Sequence, residues 1–170
     1  PGALPGPRPA GDHTVELIDV AHPTRSDALH RLYRDRLPAL AEHRLMVENP
    51  YVADLDVLEG WAAVARRRPE LAITVIRPHP RFTDYVPPRA PAASRLARWV
   101  VRRHDDLLLG AGIDVREVTR SFVHLKLAAV DDRLAVHGSY NLTYRSAHLD
   151  REIALVIEGP TYPARVARLL

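Results

Sequence analysis

With 170 residues, 46% hydrophobic and 26% charged, the chain has the bulk of one ordinary globular domain, long enough to bury about 70% of its unfolded surface. It contains no cysteine, which excludes disulfides and thiolate metal centres, and no apolar run of about 18 residues that would read as a membrane-spanning helix. The net charge of +3 is carried mostly by arginine, Lys126 being the one lysine, and it suits an anionic phosphodiester without choosing between lipid and nucleic acid.

In chain order, residues 1–13 read as a Pro/Gly-rich linker or arm and residues 14–170 as one domain. Val15 to Val20 suggests a strand. Ser26 and Asp27 cap a helix with Leu29, Leu32, Tyr33 and Leu37 on one face, and Pro38 kinks or ends its regular hydrogen bonding. Arg44 to Glu48 reads as a strand buried on both faces. Asp54 opens a helix whose Leu58, Trp61, Ala62 and Ala65 recur at helical spacing, stopping near Pro69. Leu71 to Ile76 is a second buried strand, followed by a proline-dense stretch between Pro78 and Pro91 of the kind that forms lids or binding loops. Ser94 starts a helix through Leu107, ended by Gly110. Ile113–Val118, Val123–Val130, Leu134–Val136 and Glu152–Ile157 read as strands, and residues 160–170 begin a closing helix. Helices alternating with buried strands give an α/β fold with a mixed, largely parallel sheet flanked by helices.

The chemistry concentrates late in the chain. His124 and Lys126 are two apart, so on a strand they share a face, while Leu125, Leu127 and Ala129 occupy the opposite, core-seeking face. The turn Gly138-Ser139-Tyr140-Asn141 offers a hydroxyl, an amide and backbone N–H groups nearby. An imidazole, an ammonium and neutral donors together make a phosphoryl-transfer site that needs neither metal nor cofactor. A lone His and Lys on a strand are ordinarily solvated side chains; the company they keep here points to a site. Glu48 and Asn49, at the end of a strand, either line the pocket or cap the next helix. His137, beside Gly138, reads either as a group supporting the site from behind or as a strand-face residue, and His79, His104 and His148 show no spacing that suggests metal ligation. Arg66-Arg67-Arg68 reads as a solvated helix end rather than a nucleic-acid patch.

The pattern H-x-K-x4-D-x6-G-S-x-N, complete from His124 through Asp131 to Asn141, resembles the HKD motif of the phospholipase D superfamily. The segments Glu48-Asn49-Pro50-Tyr51-Val52 and Arg145-Ser146 through Glu152 are similar to cardiolipin-synthase-like members, and roughly residues 14–170 fall within the resemblance. The resemblance implies a phosphohistidine mechanism in which one histidine attacks phosphorus and a second protonates the leaving oxygen. It makes His124, Lys126 and Glu152 catalytic, with Glu152 holding a ring nitrogen of His124. Ser139 and Asn141 bind the phosphoryl oxygens, and Asp131 and Gly138 are structural members of the motif. Asp150 stands where such relatives often have asparagine, and Tyr140 and Thr143 also depart from the usual neighbourhood.

One motif supplies one histidine, so a second half is expected, either in the same full-length chain or in a second protomer of a homodimer. The missing initiator methionine and the position of the match favour an excerpt of a two-motif enzyme. His124 would then be the second-half histidine, with the acid role ahead of the nucleophile role. The leading reading is a phosphodiesterase or phosphatidyltransferase acting on phospholipid, bacterial by its arginine bias, and cytoplasmic or peripheral to a membrane surface. The alternatives are a metal-independent dimeric nuclease of the same superfamily, and a non-catalytic half retained as a scaffold.

Overall fold

The computed structural model describes residues 11–20, 27–79 and 103–170. The expected cap at Ser26, the proline-dense stretch beyond His79, the start of the helix at Ser94 and residues 1–10 of the arm lie outside the described residues. Seven strands form one sheet in the order β1-β7-β6-β5-β2-β3-β4. They are β1 (Thr14–Val20), β2 (Arg44–Glu48), β3 (Ala72–Pro78), β4 (Asp114–Val118), β5 (Leu127–Val130), β6 (Leu134–Gly138) and β7 (Glu152–Glu158). The helices are α1 (Asp27–Arg31), α2 (Leu37–Leu40), α3 (Leu55–Arg67), α4 (residues 103–109), α5 (Tyr144–His148) and α6 (Tyr162–Leu169).

The sheet is mixed and flanked by helices, as expected, but parallel pairing is confined to β2–β3 and β3–β4. The pairs β1–β7, β7–β6, β6–β5 and β5–β2 are antiparallel. The balance follows from the connections. A parallel neighbour needs a crossover such as α3 between β2 and β3, whereas β5 and β6 are joined by the three-residue turn Asp131-Asp132-Arg133.

Pro38 does not end its helix. The chain passes through a π turn at Leu32–Arg36, with Leu37 N–H donating to Leu32 C=O, before α2. In that register proline has no N–H for the Tyr33 carbonyl, and the buried indole of Trp61 donates to it instead at 2.7 Å. Leu29, Leu32, Tyr33 and Leu37 are all buried, as their spacing implied, and with Leu45, Leu58, Trp61 and Val130 they form the main core between the sheet and α1–α4. A smaller cluster on the other face joins Met46, Leu127, Ala129 and Ala135 to Val166 and Ala167 of α6. The left-handed residue after α4 is Gly112 (φ 81°), two positions later than the expected terminator Gly110. His13, assigned to the arm by sequence, accepts the N–H of Tyr162 at 3.1 Å and so ties the start of β1 to α6.

Candidate active site

β2, β3 and β4 end, and β5 and β7 begin, at the same edge of the sheet, so the segments 49–54, 119–126 and 139–151 converge there. Ligand sites at the carboxyl ends of parallel strands are a general consequence of this topology. His124 and Lys126 lie in the second segment.

They are not on a regular strand: the expected strand Val123–Val130 begins only at Leu127. β2 stops at Glu48, which pairs Leu127, and Pro50 has no N–H to extend the ladder. A single backbone bond, Gly138 N–H to Lys126 C=O at 3.3 Å, bridges the lead-in. Without a ladder the face alternation lapses, and Leu125 is exposed rather than packed in the core.

Lys126 is buried, and its Nζ lies 2.8 Å from Nε2 and 3.1 Å from Nδ1 of the exposed His124. Phe122 stacks on the imidazole (centroids 5.6 Å, 28° between planes), and Tyr51 meets it edge-on at 6.0 Å. Partial desolvation lowers the His124 pKa from its ordinary value and the Lys126 charge lowers it further. Desolvation also lowers the Lys126 pKa, against the opposing pull of the Glu152 charge.

Glu152, at the first position of β7, is buried, and Ser139 Oγ donates to its Oε2. Ile153 N–H donates to Ser139 Oγ at 3.1 Å, so the hydroxyl relays between strand and carboxylate. Among the described residues no hydrogen bond joins Glu152 to His124; its neighbours are Ser139 and, electrostatically, Lys126. Gly138 is fixed by space: a Cβ there would lie 2.3 Å from Ile153 O and 2.8 Å from Ala154 Cα. Only glycine lets β6 approach β7 closely enough to bring Ser139 to Glu152. Asn141 has a buried side-chain oxygen with no hydrogen-bond partner among the described residues.

Asp131 sits at the other end of the β5–β6 hairpin in a left-handed turn (φ 50°). Its carboxylate accepts from the backbone N–H of Glu42 (3.1 Å), His43 (3.0 Å) and Arg44 (2.9 Å). Burial opposes its charge, but those bonds and Arg133 outweigh it and hold the carboxyl below the usual range. The motif aspartate thus anchors β5 against the start of β2, away from the histidine.

Asn49 is fully buried: its Nδ2 donates to Tyr140 C=O at 3.0 Å and its Oδ1 accepts from Tyr51 N–H at 3.1 Å. It is a bracket tying β2 to the motif turn rather than a pocket lining or a helix cap. Asp54 occupies the cap position of α3, and its carboxylate faces His30 at 3.2 Å. Glu48 is buried at the end of β2, and desolvation raises its pKa.

Sequence reading missed two buried polar groups at this edge. Arg77, on β3, is buried between Asp105 (2.7 Å) and Glu117 (2.9 Å). His104 is buried on α4, and desolvation is the main cause of its lowered pKa, with the nearby Val52 backbone opposing the shift. A polar residue inside an apolar strand, as Arg77 is, was the available signal.

The model of the family described as cardiolipin synthase, PLD-like domain, matches residues 39–169. The chain belongs to that family. Among curated proteins, cardiolipin synthase A of Erwinia tasmaniensis is 29% identical and that of Yersinia pseudotuberculosis 27%, each over 157 residues. These alignments cover 92% of this chain and 30% of the relative, so the chain spans about a third of the length of those proteins. In fold, the phospholipase D family member Nuc from Salmonella typhimurium superposes with a TM-score of 0.69 at 16% identity, covering 93% of this chain and 91% of Nuc. Phosphatidylserine synthase from Haemophilus influenzae superposes at 0.68 and 19% identity, covering 98% of this chain and 39% of that one. The PLD-like fold therefore occurs both at about this length and as part of longer chains.

Proposed function

We propose that this chain is one half of a phosphatidyltransferase or phospholipase D-type phosphodiesterase acting on phospholipid, and that His124, Lys126, Ser139, Asn141 and Glu152 form its half-site. The observation that carries the reading is the Lys126 ammonium, buried and 2.8 Å from the His124 imidazole, in a family whose curated relatives are cardiolipin synthases.

The chemistry proceeds in two balanced steps. A histidine of a second half attacks phosphorus, the P–N bond forms, and the P–O bond to the leaving alcohol breaks. His124 gives its proton to the departing oxygen. Water or an acceptor alcohol then attacks the phosphohistidine, His124 takes its proton, and the first histidine is released. Before substrate binds, partial desolvation and Lys126 favour neutral imidazole; the negative phosphodiester opposes both, so His124 takes up its proton as substrate binds. Lys126, Asn141 and, once its proton turns from Glu152 to substrate, Ser139 face the charge that builds on the non-bridging oxygens, where a preorganised donor is worth about 3 kcal/mol. No step calls on a metal, so activity should persist in EDTA.

The second half comes from another part of the full-length protein or from a second copy. His124→Ala in the intact protein should abolish release of headgroup from phosphatidylglycerol or phosphatidylcholine; unchanged activity would reject the reading. Trapped phosphohistidine mapping to the second histidine supports the acid role for His124, and mapping to His124 reverses the roles. Cleavage of nucleic acid with no action on phospholipid would favour the nuclease alternative.

A further inference from the structure

His124 carries the proton of the proposed reaction, so the direction of its ring decides whether that proton reaches the departing oxygen. Lys126 does not set that direction. Its Nζ lies 2.8 Å from Nε2 and 3.1 Å from Nδ1. A point so nearly equidistant from both nitrogens lies over the face of the ring, because in the ring plane it would collide with the carbon between them. Ring nitrogens donate and accept in the plane. The ammonium therefore sets the charge felt by the imidazole and leaves its in-plane directions to other partners. Among the described residues no carboxylate, hydroxyl or backbone group occupies them, and the remaining bond between the two residues runs from Nζ to the His124 carbonyl at 3.3 Å.

The backbone restrains the ring little. β5 begins only at Leu127, and His124 is exposed, so no strand neighbours select its rotamer. Its other contacts are aromatic. Phe122 stacks on the imidazole at 5.6 Å with 28° between the planes, Tyr51 meets it at 6.0 Å and 75°, and those two rings lie 6.4 Å apart. All three separations fall in the range of favourable aromatic pairs, so the rings brace one another. Tyr51 is itself tied down: its N–H donates to the buried Asn49, which also holds the Tyr140 carbonyl of the motif turn. The kind of partner matters as well. A carboxylate on a ring nitrogen would raise the basicity of His124, whereas a phenyl face orients the ring without adding charge. The lowered pKa of His124 accords with an apolar orienter and suits a group that must release its proton.

We propose that Phe122 is a positioning residue: its ring, braced by Tyr51, fixes the His124 imidazole beneath the Lys126 ammonium so that a ring nitrogen points at the bridging oxygen of the phosphodiester. The proposal deepens the half-site reading and rests on it for the reaction, though not for the ring contact.

The test compares Phe122→Leu and Phe122→Tyr with the parent in the intact protein. One measurement is the χ1 rotamer of His124 by NMR coupling, its resonance assigned by its loss in His124→Ala. The other is turnover of a soluble short-chain phosphodiester. The parent should hold one His124 rotamer, and Phe122→Leu, which keeps an apolar side chain without a ring, should average it. The same variant should lower kcat roughly tenfold with KM kept within about twofold. Phe122→Tyr should restore both readings. The control Leu125→Ala removes a ringless side chain from the same lead-in, as exposed as Phe122 (45% against 42%), and should behave as the parent does. A parental kcat or an unmoved His124 rotamer in Phe122→Leu would overturn the proposal. So would a rise in KM alone, because Phe122 would then bind substrate rather than aim the histidine, and so would an equal loss of kcat in Leu125→Ala. Averaging of His124 in Phe122→Leu, alongside a parent that turns over no phosphodiester, would keep the positioning contact and reject the half-site reading.

Discussion

Lys126 holds its ammonium 2.8 Å from Nε2 and 3.1 Å from Nδ1 of His124, close enough to disfavour a second positive charge on the imidazole. Because Lys126 is buried, it is a fixed charge; because His124 is exposed, it is the partner free to meet substrate. Replacing Lys126 by methionine should therefore raise the His124 pKa, read by NMR titration of the imidazole. It should also lower phosphodiester turnover about a hundredfold. A His124 titration unmoved by the substitution would show that the ammonium does not act on the ring.

Asp131→Ala removes the acceptor for three backbone N–H groups and should cost about 1–3 kcal/mol in chemical denaturation. The sign of the pH dependence is fixed by the depressed carboxyl pKa of the fold. The stabilisation is present above the unfolded-state value and is lost as pH falls through the folded value. The gap between parent and variant should thus close in acid; a gap that persists there would assign the cost to something other than the ionised carboxylate.

Gly138→Ala places a methyl group 2.3 Å from the Ile153 carbonyl, against backbone rather than a yielding side chain. The strands must separate, at a cost of about 3 kcal/mol. The amide of Ser139, which donates to Ile153 O at 2.9 Å, should lose protection from hydrogen exchange. Unchanged protection would mean that β6 and β7 tolerate the wider spacing.

Glu48 carries a pKa raised by desolvation, so the fold favours its neutral form. Its contribution is full below the unfolded-state pKa and falls away as pH rises through the folded value. Glu48→Gln, neutral at every pH, should match the parent in acid and exceed its melting temperature at pH above neutrality. Loss of turnover without loss of stability would instead place Glu48 among the groups that meet substrate.

Much of the molecule was legible because its signals are local. The buried runs Arg44–Glu48 and Leu71–Ile76, the helical recurrence of Leu58, Trp61 and Ala65, and the spacing from His124 to Asn141 need no knowledge of distant residues. The lead-in at Val123–Lys126 was misread for the same reason. Alternation reports which face a strand would show, whereas a strand exists only if a neighbour supplies a ladder, and β2 stops at Glu48.

By itself the sequence determined the chemical inventory: one imidazole, one ammonium, a hydroxyl, an amide and a carboxylate at spacings that resemble a phosphoryl-transfer motif. Tertiary structure decided who meets whom. Asp131 grips backbone 87 to 89 positions away, Asn49 brackets a turn 91 positions away, and Glu152 receives Ser139 while no hydrogen bond joins it to His124. Such pairings depend on strand order and on where each ladder ends. These are collective properties of packing, set by how buried faces and backbone hydrogen bonds are satisfied together rather than by any one segment's pattern.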